Sequence, residues 1–429
     1  MMGKLVPKLR FKEFSGEWEE KKLGEVYRFI PTKSFSRDKL NYQSGKAKNI
    51  HYGDIHTKFS TLFDITKETV PYINQSVDIT KIKKDYYCVE GDIVFADASE
   101  DLDDIGKSIE LINLNNESLL AGLHTLLARQ REEKLIKGFS GYLFKSNFIR
   151  NQIKREAQGA KVLGLSVRRL ENITISFPKS PKEQEKITNT LSSLDSLIEA
   201  QQRKVEALKN HKKGLMQQLF PSDGENEPKL RFKEFSGEWE EKKLGDIVDI
   251  FKGKGISKND ISENGKLDCI RYGELYTEYR EIIKNVKSKT NLNQNNLVLS
   301  KKNDVIIPSS GETNIDIATA HCILKDNIAL GGDLNILRGQ ENGIFLAYYL
   351  SNAKKNEIAK LAQGIAVVHL YSSQLRKLTL QLPTPKEQQK IANTLSSLDS
   401  LIEAYQSKVE ALKKHKKGLM QQMFVSGEG

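Results

Sequence analysis

The feature that constrains this chain most is a two-part internal repeat. The segment PKLRFKEFSGEWEEKKLG at positions 7–24 returns unchanged at 228–245. A second pair of blocks, at 181–220 and 385–424, shares 34 of 40 residues, whereas the regions between the blocks diverge. Such a repeat predicts two homologous half-molecules, and a chain of 429 residues is long enough for each half to bury its own core.

Each of the 40-residue blocks begins like a helix. Ser180 is placed to cap the helix, Pro181 suits the first helical position, and Glu183 lies where it would complete a capping box. The second block repeats this start with Thr384, Pro385 and Glu387.

Both blocks also carry apolar residues at spacings that alternate between four and three. The first seam is Ile187, Leu191, Leu194, Ile198, Gln201, Val205, Leu208, Lys212, Leu215 and Leu219, and the second is Ile391, Leu395, Leu398, Ile402, Tyr405, Val409, Leu412, Lys416, Leu419 and Met423. This is a heptad pattern, typical of coiled coils. Because both seams belong to one chain, we expect two helices of roughly 60 Å that pack together as an antiparallel coiled coil.

The divergent regions predict mixed α/β domains. Short apolar runs at 91–96, 173–178, 304–308 and 378–383 are typical of strands. Helical spacing at 141–157 and 345–362 is followed by Gly159 and Gly364, which we expect to act as C-caps. The fold class is therefore α+β, with two homologous domains at 1–180 and 221–384 separated by a first spacer helix at 181–220; residues 385–429 form the second spacer helix and a C-terminal tail.

Composition narrows the function classes. The chain has 67 Lys and Arg against 56 Asp and Glu, a net charge of +11 that suits a polyanionic partner such as nucleic acid. It contains no membrane-length apolar run and no signal-peptide core, so we expect a cytoplasmic protein. Cys88, Cys269 and Cys322 are far apart in the sequence and are expected to be buried hydrophobes rather than disulfide or zinc ligands.

No catalytic constellation is recognisable in the sequence. The glycine clusters FKGKGISK and IALGGD lack the P-loop pattern, and no glycine-rich cofactor loop of a methyltransferase is present. His51 and His56 have no further ligand at metal-binding spacing. We therefore expect a chain that is not itself an enzyme and that holds neither cofactor nor metal.

Several motifs together resemble the specificity subunits of type I restriction-modification systems. They are SPKEQEKITNTLSSLDSLIEA and its copy TPKEQQKIANTLSSLDSLIEA, the openings GEWEEKKLGE and GEWEEKKLGD, and the pairs YGDI with YGEL and GDIVFA with NDVIIPSSG. The resemblance spans essentially the whole chain. It implies two target-recognition domains, each docking on one part of a bipartite asymmetric DNA site, with the helices setting the gap.

The resemblance also implies partners. In that family the specificity subunit joins two modification subunits, which bind S-adenosylmethionine and methylate adenine. It further joins restriction subunits, which use ATP and Mg²⁺ to translocate and cleave DNA. The first domain departs from the family pattern at 96–106, where the acidic ADASEDLDDIG replaces the small turn PSSGET of the second domain. An acid there would either accept a hydrogen bond from cytosine N4 or belong to a solvated turn.

Chemistry alone selects the candidate DNA-contacting residues, because arginine and lysine bind guanine or phosphate, and tyrosine bonds phosphates or packs on sugars. In the first domain they are His51, Tyr52, Lys58, Lys161, Arg168 and Arg169; in the second they are Arg271, Tyr272, Tyr276, Arg280, His369, Tyr371 and Arg376. Two other classes remain open. One is a coiled-coil adaptor that binds proteins through its paired domains, and the other is a free-standing DNA methyltransferase or nuclease.

Overall fold

A computed structural model describes residues 5–222, 224–365 and 367–426 and divides the chain into two compact units. The first unit contains the chain up to residue 200 and the chain from residue 409 onward, and the second unit contains residues 201–408. Each unit thus combines one mixed α/β domain with a segment of both long helices. The finer boundaries predicted at 180, 220 and 384 remain a prediction.

The described part of the first half of the chain contains the following elements in chain order: β1 (Glu19–Lys22), α1 (Leu23–Val26), β2 (Tyr27–Ile30), β3 (Leu40–Asn41), β4 (Lys48–Ile50), α2 (Tyr52–Thr57), β5 (Leu62–Asp64), β6 (Tyr72–Ile73), β7 (Ile93–Ala96), β8 (Ala98–Ser99), β9 (Ser108–Asn113), β10 (Leu119–Ala121), β11 (Thr125–Gln130), α3 (Phe139–Leu143), α4 (Asn147–Glu156), β12 (Leu163–Gly164), α5 (Val167–Glu171), β13 (Thr174–Phe177) and α6 (Pro181–Leu219).

The second half continues with β14 (Glu240–Lys243), α7 (Leu244–Ile247), β15 (Val248–Lys252), β16 (Leu267–Ile270), α8 (Glu274–Thr277), β17 (Ile282–Ile283), β18 (Ser288–Thr290), β19 (Val298–Leu299), β20 (Val305–Pro308), β21 (Ser310–Gly311), α9 (Asn314–Ile317), β22 (His321–Ile323), β23 (Ala329–Leu330), β24 (Leu334–Gly339), α10 (Gly343–Ser351), α11 (Lys355–Leu361), β25 (Val368–His369), α12 (Ser372–Leu375), β26 (Thr379–Leu382) and α13 (Pro385–Met423).

Each domain has its own central sheet, and the two sheets have the same strand order although the sequences diverge. The order is β2-β11-β7-β9-β5 in the first unit and β15-β24-β20-β22-β17 in the second. The middle strands β7 and β20 have the sequences IVFA and VIIP and are buried along their whole length, as expected for strands covered on both faces. The four predicted strand regions are therefore confirmed, and so is the α+β class.

Each long helix lends part of its seam to a domain core. In the first unit Ile187 and Leu191 belong to one apolar cluster with Trp18, Met423 and Phe424. In the second unit the equivalent cluster contains Leu219, Phe220, Trp239, Ile391 and Leu395. The three cysteines are free and buried, as predicted.

The helix segments within each unit run antiparallel. In the second unit the Lys204 ammonium lies 4.3 Å from the centroid of the Tyr405 ring, and Lys212 contacts Asp399 at 2.7 Å. Residue numbers therefore rise along α6 while those of the facing residues on α13 fall. In the first unit Lys416 contacts Asp195. Every predicted seam position of both helices is buried or half-buried, in agreement with the heptad prediction.

The prediction of a capping box is wrong for the role of the glutamate. Both helices begin at the prolines as predicted, and Thr384 Oγ1 accepts a hydrogen bond from the Glu387 N–H at 3.4 Å. The Glu183 carboxylate, however, accepts two hydrogen bonds from Arg10, at 2.8 Å each, and a third from Trp18 Nε1 at 3.2 Å. A guanidinium fork is a stronger partner for a buried carboxylate than one backbone N–H, so the carboxylate turns toward the domain.

The same contact explains why the opening segment occurs twice. Arg231, the second copy of Arg10, donates to both oxygens of Glu387, at 2.9 and 2.8 Å. The repeated opening segment therefore supplies each unit with the arginine that holds the first turn of its long helix. The glutamines that follow each glutamate, Gln184 and Gln388, bond backbone groups of the same unit.

The prediction that two glycines cap helices is also wrong. Gly159 lies three residues beyond the end of α4, and Gly364 lies three residues beyond α11. Their φ angles are +134° and +135°, and a Cβ at Gly159 would lie 2.0 Å from the Val162 carbonyl oxygen. Both glycines instead permit a tight loop that leads into a short strand, β12 or β25.

Candidate nucleic-acid interface

An aromatic cluster surrounds the start of α2 in the first unit. The Tyr52 ring lies against three imidazoles, with centroid distances of 4.7 Å to His51, 5.7 Å to His56 and 5.2 Å to His124. His51 caps the helix, since its Nδ1 accepts a hydrogen bond from a backbone N–H of the first turn at 3.2 Å. Burial lowers the pKa of His51, which favours the neutral ring that can accept this bond. His51 itself is only 7% exposed, so the cluster presents mainly the partly exposed Tyr52 ring and the exposed His124 ring to solvent.

A buried carboxylate holds two cations beside this cluster. Asp54 is 1% exposed. Its carboxylate accepts hydrogen bonds from Arg37 at 3.2 Å and forms an ion pair with Lys58 at 2.9 Å. Burial on its own would raise the pKa of Asp54, but the hydrogen bonds from Lys58 and Arg37 outweigh it and lower that pKa. The side chains of Arg37 and Lys58 are half exposed. Asp54 thus holds the cationic groups of Arg37 and Lys58 at fixed positions on the surface.

A pair of short strands adjoins α2. β8 and β12 are antiparallel, and His56 Nε2 donates to the Ala98 carbonyl of β8 at 3.1 Å. Lys161 lies exposed in the loop that precedes β12, and Arg168 lies exposed on α5 just after it. Arg169, by contrast, is held within the unit, because its guanidinium donates to the Glu156 carbonyl at 2.9 Å.

Three of the five acids in segment 96–106 lie beside a basic side chain of their own unit. Asp97 lies 3.2 Å from His124, Asp104 lies 2.5 Å from Lys107, and Asp103 contacts Lys154. Residues 100–103 of this segment are exposed, so their acidic side chains lie at the surface of the unit.

The second unit builds its surface on the same elements with other side chains. Tyr276 of α8 donates its hydroxyl to the Ser310 carbonyl of β21 at 2.8 Å, and its ring lies 6.5 Å from that of Tyr272. A cleft of about 850 Å³ opens beside these rings. It is lined among others by Tyr272, Tyr276, Gly311, Glu312, Asp316 and Lys355.

His369 lies on β25, the strand that pairs with β21, and Tyr371 is the N-cap residue of α12. β25 pairs with β21 so that His369 faces Ser310, and His369 Nδ1 is 3.2 Å from the Ser310 hydroxyl. The Tyr371 ring lies 6.2 Å from the His369 ring and is half exposed. The structure therefore places two pairs of predicted residues at α8 and at the β21–β25 pair: Tyr276 lies on α8 and Tyr272 just before it, and His369 lies on β25 and Tyr371 just after it.

The arginines of the second unit divide into two groups. Arg271 is held by the buried Glu274, with its Nε and Nη2 3.3 and 3.2 Å from the carboxylate, so YGEL repeats the acid-and-cation arrangement of YGDI. Arg280 instead donates to Gln406 of α13 at 3.0 Å, and the Arg376 carbonyl accepts from the Gly245 N–H at 3.0 Å. These last two residues contact the internally repeated blocks, through Gln406 and Gly245, rather than the tyrosine cluster.

Arg37 is the candidate that sequence reasoning missed. It lies 17 residues before Asp54, in the segment SFSRDKL, which carries no motif. The contact between Arg37 and Asp54 depends on the tertiary fold. In the sequence, Arg37 is visible only as one basic residue within a divergent region.

Comparison with known proteins assigns the family. The family described as type I restriction modification DNA specificity domain matches residues 15–210 and 236–414. The chain belongs to this family. It is the DNA-recognition component of a type I restriction-modification system, which confirms the resemblance found in the sequence.

Relatives and solved structures agree with this assignment. The chain is 26% identical over 332 residues to the type I restriction enzyme MjaVIII specificity subunit of Methanocaldococcus jannaschii, a match that covers 73% of this chain and 75% of the relative. It is 26% identical over 416 residues to the putative MjaX specificity subunit of the same organism, covering 95% and 93%. The fold resembles a crystal structure of the specificity subunit from M. genitalium, with a TM-score of 0.58, 14% identity and coverage of 98% and 100%.

Two negative findings complete the description of the surface. Among residues 5–222, 224–365 and 367–426, no three His, Cys, Asp or Glu side chains are grouped as they would be to hold a metal ion. Within the same ranges, no helix is long and apolar enough to cross a membrane.

Proposed function

We propose that each unit reads one half of a bipartite, asymmetric DNA target in the cytoplasm, and that the paired spacer helices set the unspecified gap. The chain itself is non-catalytic in this proposal. It recruits two modification subunits, which bind S-adenosylmethionine and methylate adenine, and restriction subunits, which translocate and cleave DNA with ATP and Mg²⁺.

The observation that carries this proposal is one scaffold with two different faces. Both units share the order of the central sheet and a buried acid, Asp54 or Glu274, that fixes a cation at a short helix. The surrounding side chains differ, with imidazoles and lysine in the first unit and tyrosines beside a cleft in the second. A shared scaffold with different chemistry at the face is what reading two different half-sites requires.

The face residues fall into two proposed roles. Cations held at fixed positions bind phosphates and set the docking register, whereas aromatic and imidazole groups reach base edges and sugars. The first group is Arg37, Lys58, Lys161, Arg168 and Arg271, and the second is Tyr52, Tyr272, Tyr276, His369 and Tyr371. The buried His51 supports the second group by capping the helix that carries Tyr52. Arg169, Arg280 and Arg376, also predicted from sequence, would support these faces through their contacts inside the units.

The proposal is tested by co-expressing the chain with a modification subunit of its own system. N6-methyladenine is then mapped on random DNA by single-molecule sequencing, with the modification subunit alone as the control. We expect a bipartite motif with one fixed gap only when the chain is present.

Two outcomes would contradict the proposal. Methylation at the same sites in the absence of the chain would show that the chain does not select the target. DNA binding that shows no sequence preference and no dependence on salt would favour an adaptor that binds proteins.

A further inference from the structure

A buried lysine interrupts the apolar seam of the second unit. Lys212 of α6 is 7% exposed, and its ammonium lies 2.7 and 2.8 Å from the two carboxylate oxygens of Asp399 on α13. The hydroxyl of Tyr348 on α10 donates to the same carboxylate, and the Tyr348 ring centroid lies 4.8 Å from the ammonium. Both carboxylate oxygens of Glu281 lie 3.4 Å from the same ammonium. One cation thus joins both helices and the recognition domain.

The first unit contains the same triad with the helices exchanged. Here the lysine is Lys416 of α13 and the acid is Asp195 of α6, which are in contact. Tyr142 of α3 donates its hydroxyl to Asp195 at 2.8 Å, and its ring centroid lies 5.1 Å from the Lys416 ammonium. Each long helix therefore gives its lysine to one triad and its aspartate to the other.

The buried triad of the second unit would be a poor choice if stability alone mattered. A buried ion pair often contributes less than apolar residues of the same volume, whereas a polar residue in a coiled-coil seam fixes the register. If one long helix slipped along the other by one heptad, it would move by about 10 Å. Lys212 and Asp399 would then be buried without partners. Because the tyrosine comes from the recognition domain, the domain is fixed to the helices at the same point.

We propose that Lys212, Asp399 and Tyr348, together with their counterparts Lys416, Asp195 and Tyr142, are positioning residues that fix the gap between the two half-sites. They hold each recognition domain at one register on the helix pair and touch no base. This inference rests on the proposed function. A displacement of about 3.4 Å at either attachment corresponds to one base pair of duplex, so a loosened triad changes the gap rather than the sequence that is read.

The test uses the full chain in complex with its modification subunit. Methylation is measured on DNA duplexes in which the half-sites are constant and the gap is the natural length or one base pair shorter or longer. The variants are Lys212→Met, which removes the charge, and Tyr348→Phe and its counterpart Tyr142→Phe, each of which removes a single hydroxyl and keeps the ion pair. Lys213→Met is the matched control, because Lys213 is exposed on the same helix.

We expect the preference for the natural gap to fall at least about fivefold in Lys212→Met and less in Tyr348→Phe, a range typical of residues in one coupled network. The control variant keeps the wild-type preference, and all variants keep the half-site sequences. If Lys212→Met assembles poorly, Tyr348→Phe and Tyr142→Phe decide the question.

Equal loss of methylation at all gap lengths, or an unchanged preference in both tyrosine variants, would overturn the inference and leave the triads a purely structural role. A changed half-site sequence would overturn it as well. A wild-type complex that methylates no bipartite motif would instead contradict the proposed function, so the two failures are distinguishable.

Discussion

The contact between Arg10 and Glu183 gives a quantitative prediction for Arg10→Ala. Glu183 is 2% exposed, and Arg10 supplies two of its three side-chain hydrogen bonds. After the substitution, the carboxylate keeps the bond from Trp18 Nε1 at 3.2 Å but has lost its counter-charge. The first turn of α6 would then rest on a buried, uncompensated acid.

The magnitude follows from the burial of the pair. Removing one partner of a buried ion pair costs about 3–5 kcal/mol. Because the Arg10 side chain is 13% exposed, water can enter the space it leaves, and we expect a loss of about 2–4 kcal/mol in the free energy of unfolding. The double variant Arg10→Ala, Glu183→Gln should recover most of this loss, since the neutral amide still accepts from Trp18.

The assay is equilibrium unfolding in urea, monitored by tryptophan fluorescence. In a Trp239→Phe background the signal reports on Trp18 alone, and the Trp239 indole N–H has no hydrogen-bond partner to lose. Lys12→Ala, a substitution of an exposed lysine in the same segment, is the control. A stability of Arg10→Ala within about 0.5 kcal/mol of that control, the usual range for surface changes, would refute the reasoning.

Three further predictions concern pH, DNA affinity and the loop before β12. Burial raises the pKa of Glu110 to about 7, above the ordinary 4.5, so the free energy of unfolding should fall by about 3 kcal/mol as pH rises from about 4.5 to about 7. Urea unfolding at several pH values should show this slope in the wild type and not in Glu110→Gln. Arg37→Ala should lower DNA affinity and reduce the slope of log K against log salt by about 0.9, measured by fluorescence anisotropy. Asp54→Asn should also weaken binding although it adds net positive charge, because it releases Arg37; tighter binding would show that net charge alone matters. Gly159→Ala should lower stability by about 1–3 kcal/mol in thermal unfolding, whereas the control Gly164→Ala, whose Cβ meets only ordinary contacts, should not.

The sequence was most informative where a pattern is local and periodic. The heptads and the prolines at 181 and 385 were enough to place both long helices, because each turn of a helix repeats the same requirement. The triad lysines were already visible as polar seam positions, Lys212 and Lys416, but their partners were not. Those partners are separated from them by 187 residues in one unit and 221 in the other.

Errors arose where a long-range partner competed with a local one. Glu183 occupies the position of a capping-box acid, but the Arg10 guanidinium is a stronger partner for its buried carboxylate. Gly159 follows a helix, yet its positive φ serves the loop before β12. Likewise, Arg37 could be recognised as a candidate only once the fold had placed it beside Asp54.

The most direct test of the central claim, that each unit reads one half of the target, is an exchange of recognition domains. Residues 246–376 are replaced by the corresponding segment of another specificity subunit, and the methylated motif of the resulting complex is mapped by single-molecule sequencing. The account predicts that one half of the motif changes while the other half is retained. A motif in which both halves change, or neither does, would contradict it.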